Sequence, residues 1–242
     1  MKHTPIYIVN RDRLGPTKDL IDSLLNRNYW NITVIDNDST FIPLFDFYEQ
    51  YNKEINLVVA PPGVPKTNDV LRQMVDRKIE PYHTICNTQW FVFSDSDVVP
   101  VEEVPQNFIE DFFEFAQITG GSKIGPMYKT DDIPDHYPLK STVVPYESGL
   151  VSHPVPYKEA NGIKLYCSPI DTTFALHRPG TRCDWRAGGI ALRAREPYVF
   201  RHMPWYYDPE NLPDDENHYM KNFNPKFAFG WSAKIKDKVK LR

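Results

Sequence analysis

The sequence predicts an α/β fold: a mixed, mostly parallel sheet with helices on its faces. Short apolar runs alternate with longer stretches of helical periodicity through the first half of the chain. The runs lack the polar alternation of a half-exposed strand, as strands covered on both faces should. Each ends in polar residues, and right-handed crossovers bring such ends to one sheet edge, where open α/β sheets bind ligands.

Taken in order, Pro5 to Val9 (PIYIV) is the first predicted strand, followed by a helical stripe of Leu20, Ile21, Leu24 and Leu25. Ile32 to Asp36 and Ile55 to Ala60 are the next two strands. Val70, Leu71, Met74, Val75 and Ile79 make a second helical stripe, Trp90 to Ser94 the fourth strand, and Phe108, Ile109, Phe112, Phe113 and Ala116 a third stripe. From Pro126 to Pro156 the chain carries prolines at 126, 134, 138, 145, 154 and 156 with Tyr128, Tyr137, Tyr146, His136 and His153 among them. This predicts a long ordered loop, read as substrate recognition with a plain surface connection as the other reading. Thr172 to His177 and Tyr198 to His202 are the remaining strands, and no internal repeat is evident.

Composition bounds the function. The 242 residues are 41% hydrophobic and 25% charged, which excludes disorder and collagen. A net charge of -4 argues against a nucleic-acid partner. Three cysteines, Cys86, Cys167 and Cys183, are odd in number and lack CxxC spacing, against both a disulfide framework and a structural zinc. No apolar run approaches the ~20 residues of a membrane helix, and MKHTPIYIVN lacks a signal-peptide layout. The expectation is a cytoplasmic protein. The C-terminal SAKIKDKVKLR reads first as a solvated basic tail, with weak contact to a membrane surface or an acidic partner as the other reading.

Candidate functional residues lie where the strands end. The first strand runs into Asn10, Arg11, Asp12, Arg13, Leu14 and Gly15, with neither GxGxxG nor GxxxxGK[ST] in the chain. Arg11 and Arg13 read either as planar donors to a diphosphate or as surface arginines. Asp36 and Asp38 follow the second strand; Asp36 reads as an acceptor from a base or ribose, Asp38 equally as that or as a helix cap. Asn10, Asn68 and Ser96 complete the nucleotide-binding set. The fourth strand ends in WFVFSDSDVVP, where Asp95 and Asp97 repel each other and are costly to desolvate unless a cation compensates them. Oxygen ligands favour Mg²⁺ or Mn²⁺.

The order strand–NRDR, strand–DND, strand, helix, strand–DSD and long loop resembles the nucleotide-sugar-dependent glycosyltransferases of the Rossmann-like GT-A fold, family 2 in particular, from Pro5 to about Trp205. FSDSDVV is similar to their DxD signature. The resemblance implies Asp95 and Asp97 as ligands of Mn²⁺ or Mg²⁺, and Asp36 on the nucleotide base. GGIALRAREPYVFRHMPW looks like the family's last helix and strand, which implies His202 as a third metal ligand; a core or capping histidine is the other reading. It further implies a single domain, 1–242, with a nucleotide-sugar half at 1–100, an acceptor half at 101–231 and the basic tail at 232–242. The donor would be a UDP-, GDP- or dTDP-sugar and the acceptor a glycan or glycoconjugate hydroxyl. One departure is the absence of the family's Glu-Asp pair, whose place holds Ala187, Gly188, Gly189 and Ile190. The candidate bases are then Asp171, expected near the metal at the start of a strand antiparallel to the DSD strand, and Asp184, the acid nearest the missing pair. Third come Asp214, Asp215 and Glu216, which read more simply as acids at a helix N-terminus favoured by the dipole. A sugar-1-phosphate nucleotidyltransferase and a non-catalytic carbohydrate-binding domain are the alternatives, the former disfavoured by the single glycine after the first strand.

Overall fold

The computed structural model describes residues 1–65, 67, 69–152, 157–183, 189–223 and 231–242. Among the described residues, ten strands form one mixed sheet: β1 (Ile6–Asn10), β2 (Ile32–Asp36), β3 (Ile55–Val59), β4 (Phe91–Asp95), β5 (Val98–Pro100), β6 (Lys123–Tyr128), β7 (Lys158–Ala160), β8 (Ile163–Cys167), β9 (Ala175–His177) and β10 (Ala191–His202). The order is β3-β2-β1-β4-β9-β6-β10-β8-β7, with β5 paired to β10. Strands β3, β2, β1 and β4 are mutually parallel, as are β6 and β10, while β9 lies antiparallel between β4 and β6. This is the α/β, Rossmann-like arrangement expected from the sequence.

The helices are α1 (Gly15–Leu25), α2 (Ile42–Gln50), α3 (Val70–Asp76), α4 (Tyr82–Thr88), α5 (Phe108–Thr119), α6 (Lys140–Leu150), α7 (Asp214–Asn222) and α8 (Trp231–Ile235). Alternation along the central strands splits the core between the sheet's two faces. Ile6, Ile8 and Val92 join Leu20, Ile21, Leu24, Phe108 and Phe112 on one face; Tyr7, Val9, Phe91 and Phe93 join Val70, Leu71 and Met74 on the other. Among the described residues no helix is long and apolar enough to cross a membrane.

Several local expectations are corrected. β3 is an edge strand with Leu57 and Val59 exposed, not covered on both faces. The stripe expected to reach Ile79 stops at Asp76, where Lys78 takes a φ of 56° and α4 begins soon after. The Pro-rich loop begins inside β6 and contains α6, with Pro145 within the helix; His153 lies outside the described residues. Pro145 sits far enough along α6 to remove a helical hydrogen bond, yet Val143 and Glu147 on either side are buried, so packing outweighs propensity. The described part of GGIALRAREPYVFRHMPW is the long strand β10 and a following 3₁₀ turn, without a helix. The tail does not trail in solvent: Ile235 is buried, the Arg242 backbone N–H donates to Asn217 Oδ1, and its guanidinium reaches the Leu212 carbonyl and Asp214.

Candidate active site

Register gathers the strand ends. Asn10 pairs with Asp36 and Val9 with Asp95, so three polar residues distant in sequence share one edge. Asn10 Nδ2 donates to the Tyr48 hydroxyl at 2.9 Å, which donates to Asp36 Oδ2 at 3.0 Å. Ser96 Oγ donates to Asn10 Oδ1 at 2.9 Å, and Asp36 Oδ1 accepts from the Ser39 N–H at 2.9 Å. Asn10, Asp36 and Ser96 are therefore brought together, buried and interlinked. Asp38 is exposed with a φ of 69°, and it does not cap α2, which corrects that reading. Asp12 does the comparable work, its Oδ1 accepting from the Thr40 and Phe41 N–H groups just ahead of the helix.

Asp97 is placed by backbone. β5 runs antiparallel to β10 with Val98 opposite His202, and the Met203 N–H donates to the Asp97 carbonyl at 2.8 Å. This brings His202 Nε2 to 3.6 Å from Asp97 Oδ2. The imidazole packs against Trp205, ring centroids 4.7 Å apart, and meets Tyr128 edge-on. Asp95 is tied to the segment before β9: its N–H donates to the Thr172 carbonyl at 2.8 Å, and Thr172 Oγ1 donates to Asp95 Oδ2 at 2.7 Å. Exposed Asp171 directly precedes Thr172 and lies within the electrostatic reach of Asp95. Fully buried Lys123 fixes this segment from behind, donating to the Ile170 and Asp171 carbonyls.

Arg13 is not a surface arginine. Its Nη1 donates to Asp97 Oδ2 at 2.6 Å; Nε and Nη2 grip Glu216 at 2.7 and 3.1 Å; Nη2 also donates to Ser232 Oγ at 3.1 Å. The guanidinium carbon stands 3.9 Å from the centroid of the Tyr219 ring. Arg11 is partly exposed, its buried Nε without a hydrogen-bond partner and 4.0 Å from Asp12 Oδ2. Asp215, beside Glu216, accepts from the Leu14 and Gly15 N–H groups at 2.8 and 2.7 Å, capping α1 across the fold. Asp214, Asp215 and Glu216 do form the first turn of α7, as the simpler reading had it; two of them are also buried, Asp215 against the start of α1 and Glu216 on Arg13.

Electrostatics follow from this geometry. Burial, then Asp97 and Asp171, push the Asp95 carboxyl well above its ordinary value. Burial also works against ionised Asp97, but His202 and Arg13 outweigh it and hold that carboxyl low. Burial keeps His202 below its ordinary value, so the ring is neutral at pH 7 and Arg13 is the cation that compensates Asp97.

Does this set fit a divalent ion? Among the described residues no group of three or more His, Cys, Asp and Glu side chains is gathered closely enough to hold a metal. The donor types nevertheless suit one: Asp97 Oδ2 lies 3.6 Å from His202 Nε2, Asp95 is two residues away in the chain, and Asp97 Oδ1 and His202 Nδ1 are buried without a hydrogen-bond partner. The repulsion that raises Asp95 is the kind a cation relieves. Arg13 already occupies Oδ2, which leaves Oδ1 as the unused oxygen of Asp97. Asp184 and Asn68 lie outside the described residues, as do Ala187 and Gly188. Sequence reasoning missed Tyr48, Thr172 and Lys123; it singled out Glu216 within the third candidate cluster for the base, but not as the partner of Arg13.

The fold and the strand-end cluster define an α/β protein with its polar site at the carboxyl ends of β1, β2 and β4. No family model matches the chain, and no curated protein sequence matches it. Among solved structures, a Bacillus anthracis protein described as a glucose-1-phosphate thymidylyltransferase, in complex with a sucrose, aligns with 99% of this chain and 84% of its own at 10% identity and a TM-score of 0.34. That likeness is too slight to bear on activity.

Proposed function

We propose that the protein is a divalent-metal-dependent glycosyltransferase that moves a sugar from a UDP-, GDP- or dTDP-sugar to a hydroxyl of a glycan or glycoconjugate. The observation that carries this reading is the meeting of Asp97 with His202, 105 positions later in the chain, beside Asp95 at the ligand-binding edge of the sheet. Asp97, Asp95 and His202 would hold Mn²⁺ or Mg²⁺. Such an ion, when bound, stabilises negative charge on a departing diphosphate.

The chain's own residues supply the rest. Arg13 presents a fixed guanidinium beside Asp97, and Arg11 an Nε without a hydrogen-bond partner, both suited to diphosphate oxygens. Asp36 and Asn10 form a pre-organised polar floor for the nucleoside. An inverting reaction requires a carboxylate to take the acceptor proton, and Asp171 beside Asp95 is the candidate that the sequence offers.

The test is a panel of nucleotide sugars scored by thermal shift with and without Mn²⁺. A donor at a hundredfold its Kd should stabilise by about 2.7 kcal/mol, and Asp97→Ala should abolish both this shift and donor turnover. Undiminished transfer by Asp97→Ala in saturating Mn²⁺ refutes the mechanism. Release of pyrophosphate from dTTP and a sugar 1-phosphate would instead identify a nucleotidyltransferase.

A further inference from the structure

A cleft of about 380 Å³ opens between the end of β6, the register shift in β10 between Ala194 and Val199, and helix α6. Tyr128 forms part of its wall, and the same ring meets His202 and Trp205, with centroids 6.3 and 5.5 Å away. The cleft therefore adjoins the Asp95–Asp97–His202 cluster through one side chain. Into it α6 brings Glu147, a carboxylate only 8% exposed. The nearest charge is Arg193, whose Nη1 stands 3.7 Å from Glu147 Oε2, beyond hydrogen-bond range. Arg193 spends its own donors on main-chain carbonyls, Nε and Nη2 on Pro169 at 3.1 Å each and Nη1 on Pro126 at 3.5 Å, and lies over the Tyr128 ring. Glu147 is thus a buried acid held near a cation without being quenched by it. Asp171, by contrast, is exposed and does not line this cleft.

We propose that this cleft binds the acceptor and that Glu147, rather than Asp171, accepts the proton of the attacking hydroxyl. The inference rests on the glycosyltransferase reading. As the acceptor oxygen bonds to the anomeric carbon, its proton passes to a Glu147 carboxylate oxygen. The anomeric C–O bond to the diphosphate breaks, and the electron pair leaves on the diphosphate oxygen. The rim sets the acceptor class: Lys129 and Asp131 after β6, and Arg195 and Glu196 from β10, balance in sign, and Ser148 adds a hydroxyl. With Glu147 the lining carries one net negative charge, which disfavours a phosphorylated ligand, and the paired donors and acceptors around it suit a neutral polyhydroxyl one, a glycan. Burial raises the Glu147 carboxyl above its ordinary value, with Arg193 opposing, which makes it a stronger proton acceptor.

The full chain, loaded with Mn²⁺ and UDP, is tested by saturation-transfer NMR against methyl glycosides of glucose, galactose, mannose and xylose. At least one should bind, and Ser148→Trp, which fills the cleft, should abolish that binding. Absence of binding by all four, or binding that survives Ser148→Trp, overturns the proposal. With the bound glycoside as acceptor, Glu147→Gln should lower kcat at least a hundredfold while donor KM changes less than twofold, and should remove the acid limb of the kcat profile. A counter-ion for Arg193 alone would leave that limb in place. If Glu147→Gln does not fold, the neutral pair Glu147→Gln/Arg193→Met is measured instead. A hundredfold loss in Asp171→Asn with Glu147→Gln within threefold of wild type gives the role back to Asp171. Mn²⁺ and donor binding test the underlying reading separately, so a chain that binds both yet transfers normally without Glu147 refutes this proposal alone.

Discussion

Arg13 illustrates how much a single residue's meaning depends on its partners. A buried guanidinium is costly to desolvate, and here Asp97, Glu216 and the face of Tyr219 surround it, so its charge is held well inside the protein. The sequence identified a cationic side chain at a strand end; only the fold showed that two carboxylates claim it. His177 is the opposite case, a titratable ring packed as an aromatic. It is fully buried, stacked on Phe91 at 4.9 Å, and held well below its ordinary value of 6.5 by burial and then by Lys123. The unfolded chain therefore binds a proton near pH 6 that the folded one refuses. Stability from this group is complete above pH 6.5 and is lost as pH falls below it, at up to about 1.4 kcal/mol per pH unit. Urea unfolding at pH 7.5 and 5.5 should show a steeper acid loss in wild type than in His177→Leu; equal slopes would refute this account.

Elements decide which of these residues meet. The short strand β5 follows Asp97 directly and pairs with the end of β10, and that pairing delivers His202. The predicted strands at positions 5–9, 32–36 and 90–94 were legible because apolar continuity is a local signal. The hairpin of β7 and β8 and the helix α6 were not, since Lys, Glu and Pro obscure their periods and their burial comes from neighbours. β6 depends on a residue without a side chain. A Cβ on Gly125 would lie 2.8 Å from the Phe174 carbonyl oxygen and 3.0 Å from Ile170 Cδ1. The carbonyl is main chain and cannot turn aside, so Gly125→Ala should destabilise by about 1–3 kcal/mol. It should also displace the segment through which Thr172 holds Asp95. Denaturant midpoints check the first effect, and an unchanged midpoint would contradict it.

At the scale of the whole molecule, the chain's last residues close the site that its first strand opens. Ser232 accepts from Arg13, Ile235 enters the main core, and Arg242 is anchored on Asn217. Ending the chain at Gly230 should therefore cost about 2 kcal/mol or more, since burying one Ile contributes roughly 1.5–3 kcal/mol. It should also loosen Arg13 at the site. Thermal unfolding of the shortened chain tests this; stability equal to the full chain would return these residues to the role of a solvated tail.

By itself the sequence determined the parallel α/β half, the edge at which polar residues collect, and the chemical types collected there. Those follow from periodicity and strand ends, which act over a few residues. Tertiary structure alone decided that Arg13 pairs across 84 residues with Asp97 and across 203 with Glu216, and that Glu147 lines a cleft instead of a loop. The energy of a buried charge depends on every group around it, and those groups are chosen by the closing of the sheet and the docking of the C-terminal helices.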